Sequence, residues 1–127
     1  MDYPEPSIFD IEEFLEESQE KEQQRLEEEL RRIEEQLERR KSIHEETLEE
    51  LESKLDWYLE RLEKLYKQCR GKHGQREKLK TKISQFYEDI REEKRSIWSD
   101  RQELEKERRE LLTELSELED EDLEKLL

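Results

Sequence analysis

Cys69-Arg70-Gly71-Lys72-His73-Gly74-Gln75 holds both glycines of a 127-residue chain that otherwise reads as unbroken helix. Glycine inside a helix costs about 1 kcal/mol relative to alanine, so two glycines this close mark the place where the chain turns back. On either side the apolar residues recur at helical spacing. Leu48, Leu51, Leu55, Tyr58, Leu62, Leu65 and Cys69 precede the turn, and Leu79, Ile83, Phe86 and Ile90 follow it, in steps of three and four. That stepping is the seam of a coiled coil. The two arms are nearly equal, roughly 80 Å each at 1.5 Å per residue. The prediction is an all-α fold: a long antiparallel two-helix coiled-coil hairpin with helix 1 over 16–70, a glycine turn at 71–75 and helix 2 over 76–127. The rival is a single continuous helix in a parallel dimer, which would carry Gly71 and Gly74 through its interior.

Composition points the same way. Only 29% of residues are hydrophobic and 51% are charged, with a net charge of −15. An ordinary globular core is not affordable at that polarity, and a compact α/β or β-sandwich fold is excluded. Low hydrophobicity with high charge also describes disorder; the heptad periodicity decides for helix. The single cysteine, Cys69, can form no internal disulfide, which favours a reducing compartment and an intracellular, cytoplasmic location. No stretch approaches the roughly 18 apolar residues of a membrane span, so no transmembrane segment is expected. The amino terminus, Met1 to Pro6, is acidic where a targeting peptide would be basic.

Folding the chain near residue 72 pairs positions whose numbers sum to about 144. Leu65 then meets Leu79, Leu62 meets Ile83, Tyr58 meets Phe86, and Ile33 meets Leu111. The seam of the first arm opens with Leu26, Leu30, Ile33 and Leu37, then slips through Arg40, Lys41 and His44 before resuming at Leu48. The step of 11 from Leu37 to Leu48 is a stutter that locally unwinds a left-handed supercoil. In the second arm Ile83, Ile90, Ile97, Leu104, Leu111 and Leu118 form an apolar file. Glu93, Asp100 and Glu107 run along one side of it, and Tyr87, Lys94, Arg101 and Arg108 along the other. A weakly packed polar layer is therefore expected halfway along. His44, set among Arg40, Lys41 and Arg101, would have its charged form disfavoured, or would serve simply as a polar seam residue that sets register.

Trp57, Leu59, Tyr66, Tyr87 and Trp98 fall off the two-helix seam. They read as a second interface, a homodimer forming a four-helix bundle, or as rings lying along their own hairpin with polar edges in water.

Catalytic signatures are missing. Cys69 and His73 stand four apart, but Gly71 breaks that face and no third or fourth ligand lies nearby, so neither metal nor cofactor is expected. With no phosphate loop and no nucleophile beside a base, the chain does not read as an enzyme. Two features carry binding character. Residues 64–82 hold Lys64, Lys67, Arg70, Lys72, Arg76, Lys78, Lys80 and Lys82 against one acid, Glu77. That is +7 in a chain of −15, leaving −22 elsewhere. The helix dipole explains cations at the end of helix 1 and not Arg76, Lys78, Lys80 and Lys82 at the start of helix 2.

The second feature is the amino-terminal segment, residues 1–15. Its Ile8, Ile11 and Leu15, with Phe9 and Phe14 beside them, lie on an acidic short helix. It has the anatomy of a helix that enters a partner's groove; alternatively it folds back or extends helix 1 and caps the open end near Leu123, Leu126 and Leu127. Residues 16–25 are a helical linker or a break. The resulting expectation is a non-enzymatic interaction or scaffold subunit, an adaptor or spacer. Its protein partners would meet the basic tip (Lys67, Arg70, Lys72, Arg76, Lys78, Lys80 and Lys82) and the amino-terminal segment (Ile8, Phe9, Ile11, Phe14 and Leu15). The alternatives are a nucleic-acid-associated factor touching phosphates by the tip alone, and an acidic mimic of nucleic acid.

Overall fold

The computed structural model describes residues 8–68 and 73–126, with side chains described over 10–68 and 73–121. Helix α1 runs Ile8–Lys67 and helix α2 runs His73–Leu126. They pack against each other as an all-α helical hairpin, with no strand among the described residues. The chain direction reverses as the sequence requires: Tyr58 meets Phe86 with ring centroids 5.3 Å apart, and Arg108 Nε lies 3.4 Å from Glu34 Oε1.

α1 is continuous through residues 16–25, so of the two readings open for that polar stretch the helix is the one observed. It is held by its own side chains. Arg25 binds Glu22 and Glu29 one turn away on either side, the i,i+3 and i,i+4 spacing at which opposite charges support a helix. The helix ends suit its dipole, with Asp10 in the first turn and Lys64 and Lys67 in the last. α2 has no acid in its first turn. It begins at His73, which places Gly74 inside the helix rather than in the turn; a Cβ built there meets nothing within 4 Å. Cys69, Arg70, Gly71 and Lys72, with residues 1–7, lie outside the described residues.

The chain forms two compact units, one of Met1–Gln36 with Leu104–Leu127 and the other of Leu37–Glu103. In the first, Leu26, Ile33 and Leu111 are buried, Leu26 almost completely at 1% exposure. Leu30, Leu104, Leu115 and Leu118 are half-buried around them. In the second, Leu55 and Ile83 are buried, and Leu48, Leu51, Tyr58, Leu62, Leu65, Leu79, Phe86, Ile90 and Ile97 are half-buried. These are the seam positions. Long Glu, Lys and Arg side chains cover the remaining faces.

The polar layer differs from expectation in one respect. Arg40 stands beside His44 and brings an anion with it: it turns across to α2, where Nη1 donates to Glu93 Oε1 at 2.9 Å and Nε donates to Asp100 Oδ2 at 2.8 Å. His44 Nδ1 lies 3.0 Å from the same Glu93 oxygen. An ionised carboxylate only accepts, so Nδ1 carries the proton in this contact. The immediate neighbour of His44 is thus an anion. Arg40, His44 and the Glu93 side chain are each only 17% exposed, and no buried side-chain polar atom among the described residues lacks a partner. The polar groups of the layer form a connected network, with none of the buried apolar residues between 38 and 47 or between 93 and 103.

Candidate functional site

Three regions can be weighed as sites: the polar network, the basic turn region, and the amino-terminal helix face. The network is internal to the second unit. Burial raises Glu93, but hydrogen bonds from Arg40 and His44 more than offset it and hold the carboxyl below its ordinary range. Arg40 is shifted upward by its bonds to Asp100 and Glu93. Every member has a partner inside the protein. A shallow groove lined by Thr47, Leu51, Asp89, Glu92, Glu93 and Ser96 runs beside it, with Glu93 already engaged at its wall. No cluster of three or more His, Cys, Asp or Glu side chains suited to a metal ion occurs among the described residues.

The turn region is differently made. The Arg76 guanidinium lies 4.7 Å from the centroid of the Tyr66 ring, and Lys80 Nζ lies 5.9 Å from it and 3.6 Å from Glu77. Tyr66 and Glu77 together shift Lys80 upward. Two of the cations that the helix dipole leaves unexplained therefore have an internal role: they bind an aromatic ring across the two helices. This aromatic contact is not visible in a charge count. Lys67 is tied to Glu63 at 3.1 Å. Lys64, Lys78 and Lys82 are exposed and have no ion pair among the described residues. Arg70 and Lys72 lie outside the described residues.

Beside these cations, on α1, is an open groove of about 240 Å³ lined by Trp57, Glu60, Arg61, Lys64, Leu65 and Gln68. The Trp57 indole forms one wall. It meets Tyr58 edge-on at 4.8 Å, carries the Arg61 guanidinium 5.1 Å from its centroid, and remains 51% exposed. Sequence reasoning assigned Trp57 to an off-seam interface but did not connect it with Arg61 and Lys64. The i, i+4 spacing of Trp57 and Arg61 was the available signal.

The amino-terminal segment is the opening of α1 itself. Ile11, Phe14 and Leu15 are exposed, Phe14 to 67%. They stand at i, i+3 and i+4, on one face. Ile8 and Phe9 belong to α1, but their side chains, like those of Leu123, Leu126 and Leu127, lie outside the described set. Leu59, Tyr66, Tyr87 and Trp98 are likewise exposed, as their off-seam positions required.

The architecture is thus that of an all-α helical hairpin with exposed apolar and basic surfaces. The chain belongs to a family of unknown function, DUF8104, whose model matches residues 1–127. No curated protein and no solved structure matches it. No helix among the described residues is long and apolar enough to cross a membrane.

Proposed function

We propose that the protein is a non-enzymatic interaction subunit, an adaptor or spacer whose helical hairpin presents two docking surfaces to protein partners. The observation that carries this reading is the exposed face of Ile11, Phe14 and Leu15 on a regular helix. Leaving aliphatic and aromatic side chains in water forgoes the stabilisation of burial, and an amphipathic helix with anchors at this spacing is a recurrent groove-binding element. The basic turn region supports a second contact, through Lys78 and Lys82 on α2 and Lys64 and Lys67 on α1, suited to an acidic surface. Exposed Trp57, Leu59, Tyr66, Tyr87 and Trp98 favour a homodimer as well. A single cysteine suits a cytoplasmic setting.

Affinity capture from the source cells, with partners identified for the wild type and for two variants, tests the proposal. Ile11→Ser with Phe14→Ser should lose one set of partners, and Lys78→Gln with Lys82→Gln another, while circular dichroism shows unchanged helicity. Retention of every partner by both variants would refute it. Binding of random nucleic acid that falls steeply with salt and vanishes in the lysine variant would assign the turn region to phosphate instead.

A further inference from the structure

The apolar seam divides the surface of the Leu37–Glu103 unit into two flanks. Leu48, Leu51, Leu55, Tyr58, Leu62 and Leu65 on α1, and Leu79, Ile83, Phe86 and Ile90 on α2, are the first and fourth positions of successive heptads. The third and seventh positions then lie on one flank and the second and fifth on the other. Contacts across the seam fix which flanks coincide: Arg40 reaches Ser96 on the first, and Tyr66 meets Lys80 on the second. Read from the turn outward, the first flank carries Lys64 level with Lys78, Arg61 with Lys82, Trp57 with Gln85, Lys54 with Asp89, and Glu50 with Glu92. All of these but Asp89 are exposed. Trp57 thus stands between a basic half and a half that turns acidic.

Resting on the homodimer in the adaptor reading, we infer that this flank docks on the same flank of a second copy, the two running antiparallel about a two-fold axis at the level of Trp57 and Gln85. Such an axis carries each residue to the level equally far on the other side of that midpoint. Lys64 and Glu50 stand seven residues either side of Trp57, so each meets the other in the second copy. Lys78 and Glu92 stand seven either side of Gln85 and meet likewise, and Lys82 comes within one residue of Asp89. Every contact is made twice, as an isologous interface requires. Lys54, the cation of the acidic half, already binds Glu50 at 2.9 Å. It falls level with Glu60 of the second copy, the one acid lining the Trp57 groove, and within one residue of Arg61, so that position is balanced. Charge selects the antiparallel arrangement, because a parallel one would set Lys64 on Lys78 and Glu50 on Glu92. Trp57, 51% exposed, lies at the axis and becomes the apolar centre of a charged rim. The whole contact falls within the one unit.

Sedimentation velocity of the full chain, joined to thiol cross-linking, is the test. The wild type should be a dimer at low salt, weakening about tenfold or more in roughly 0.5 M salt as exposed pairs are screened. Trp57→Ala should weaken it by a similar factor, the usual loss when a central aromatic anchor is truncated. Lys64→Glu with Lys78→Glu reverses the basic half of the flank, and Glu50→Lys with Glu92→Lys reverses the acidic half. Each variant alone should be monomeric and still helical by circular dichroism, while an equimolar mixture should recover the dimer. Cross-linking checks the register without touching these charges. In a Cys69→Ser background, a short bis-maleimide should join two copies through Gln85→Cys, on the axis, and not through Tyr87→Cys, on the opposite flank. A wild type that stays monomeric, a mixture that fails to associate, or cross-linking through Tyr87→Cys in place of Gln85→Cys would each overturn the inference. In the last case the homodimer stands on the other flank. A monomer that nevertheless loses outside partners on Lys78→Gln with Lys82→Gln would overturn self-docking and leave the adaptor reading standing.

Discussion

Arg40 explains why a charged residue can occupy a seam position. Its long side chain lets the guanidinium leave the seam and reach Glu93 and Asp100 on the other helix, while Ser96 Oγ lies 3.4 Å from Nη2. The sequence shows where this layer lies, because Arg40 and His44 interrupt an apolar file. It does not show the layer's connectivity, which depends on how far a flexible side chain reaches and in which rotamer. Removing one partner should cost more than removing all of them. Arg40→Ala leaves a half-buried Glu93 short of its strongest donor and should destabilise by about 1–3 kcal/mol in urea unfolding. Replacing Arg40, His44 and Glu93 together by Leu should be neutral or stabilising by about 1–4 kcal/mol.

The same carboxylate sets a pH dependence. Its folded value is depressed relative to about 4.3 in an unfolded chain. Its contribution is therefore fully present above that unfolded value and is lost as pH falls through the lower folded one. Acidification also relieves the repulsion of a −15 chain, which acts in the opposite sense. The comparison to make is with Glu93→Gln: the stability gap between wild type and variant should be constant from pH 5 to 7 and should close below about pH 4. A gap that does not narrow in acid would show that Glu93 is not held as an anion by Arg40.

At the scale of the helix, burial separates residues that composition alone does not. Leu55 is buried and Leu59, one turn on, is exposed. Leu55→Ala should cost about 2–5 kcal/mol, whereas Leu59→Ala should stay within about 0.5 kcal/mol. The apolar file marked this contrast in advance, since only Leu55 stands on it. Helix ends were less legible. Gly74 reads as part of the turn because glycine is a helix breaker, yet α2 already encloses it. Open space around the Gly74 position gives an expectation for Gly74→Ala: a gain of up to about 1 kcal/mol from reduced freedom of the unfolded chain, read as a rise in the unfolding midpoint. A loss would mean that the turn needs this glycine after all. None of the buried apolar residues lies between 38 and 47 or between 93 and 103. Amides there should exchange faster than those of residues 55–65, since local opening tracks the apolar contacts that must be broken.

For the whole molecule, only part of the basic turn region is separate from what folds the chain. Lys78 and Lys82 gain nothing from the dipole at the start of α2 and have no ion pair among the described residues, so replacing both with Gln should leave helicity unchanged. Arg76 is different, because Tyr66 holds it, and Arg76→Gln should loosen the contact between the helices near the turn. What could be read from the sequence was the reversal of direction and the register, through the match of Tyr58 with Phe86. What could not be read was which cations serve the fold, because cation–ring contacts depend on three-dimensional placement rather than charge.

The hairpin is the premise of every proposal made above, and one distance tests it. Spin labels at Arg32 and Leu112, with Cys69→Ser to remove the native thiol and excess unlabelled protein to suppress contacts between copies, should lie roughly 20–30 Å apart, as helices with axes about 8–10 Å apart and two label arms require. A separation on the order of 100 Å, as expected of one continuous helix rising about 1.5 Å per residue, would contradict the account.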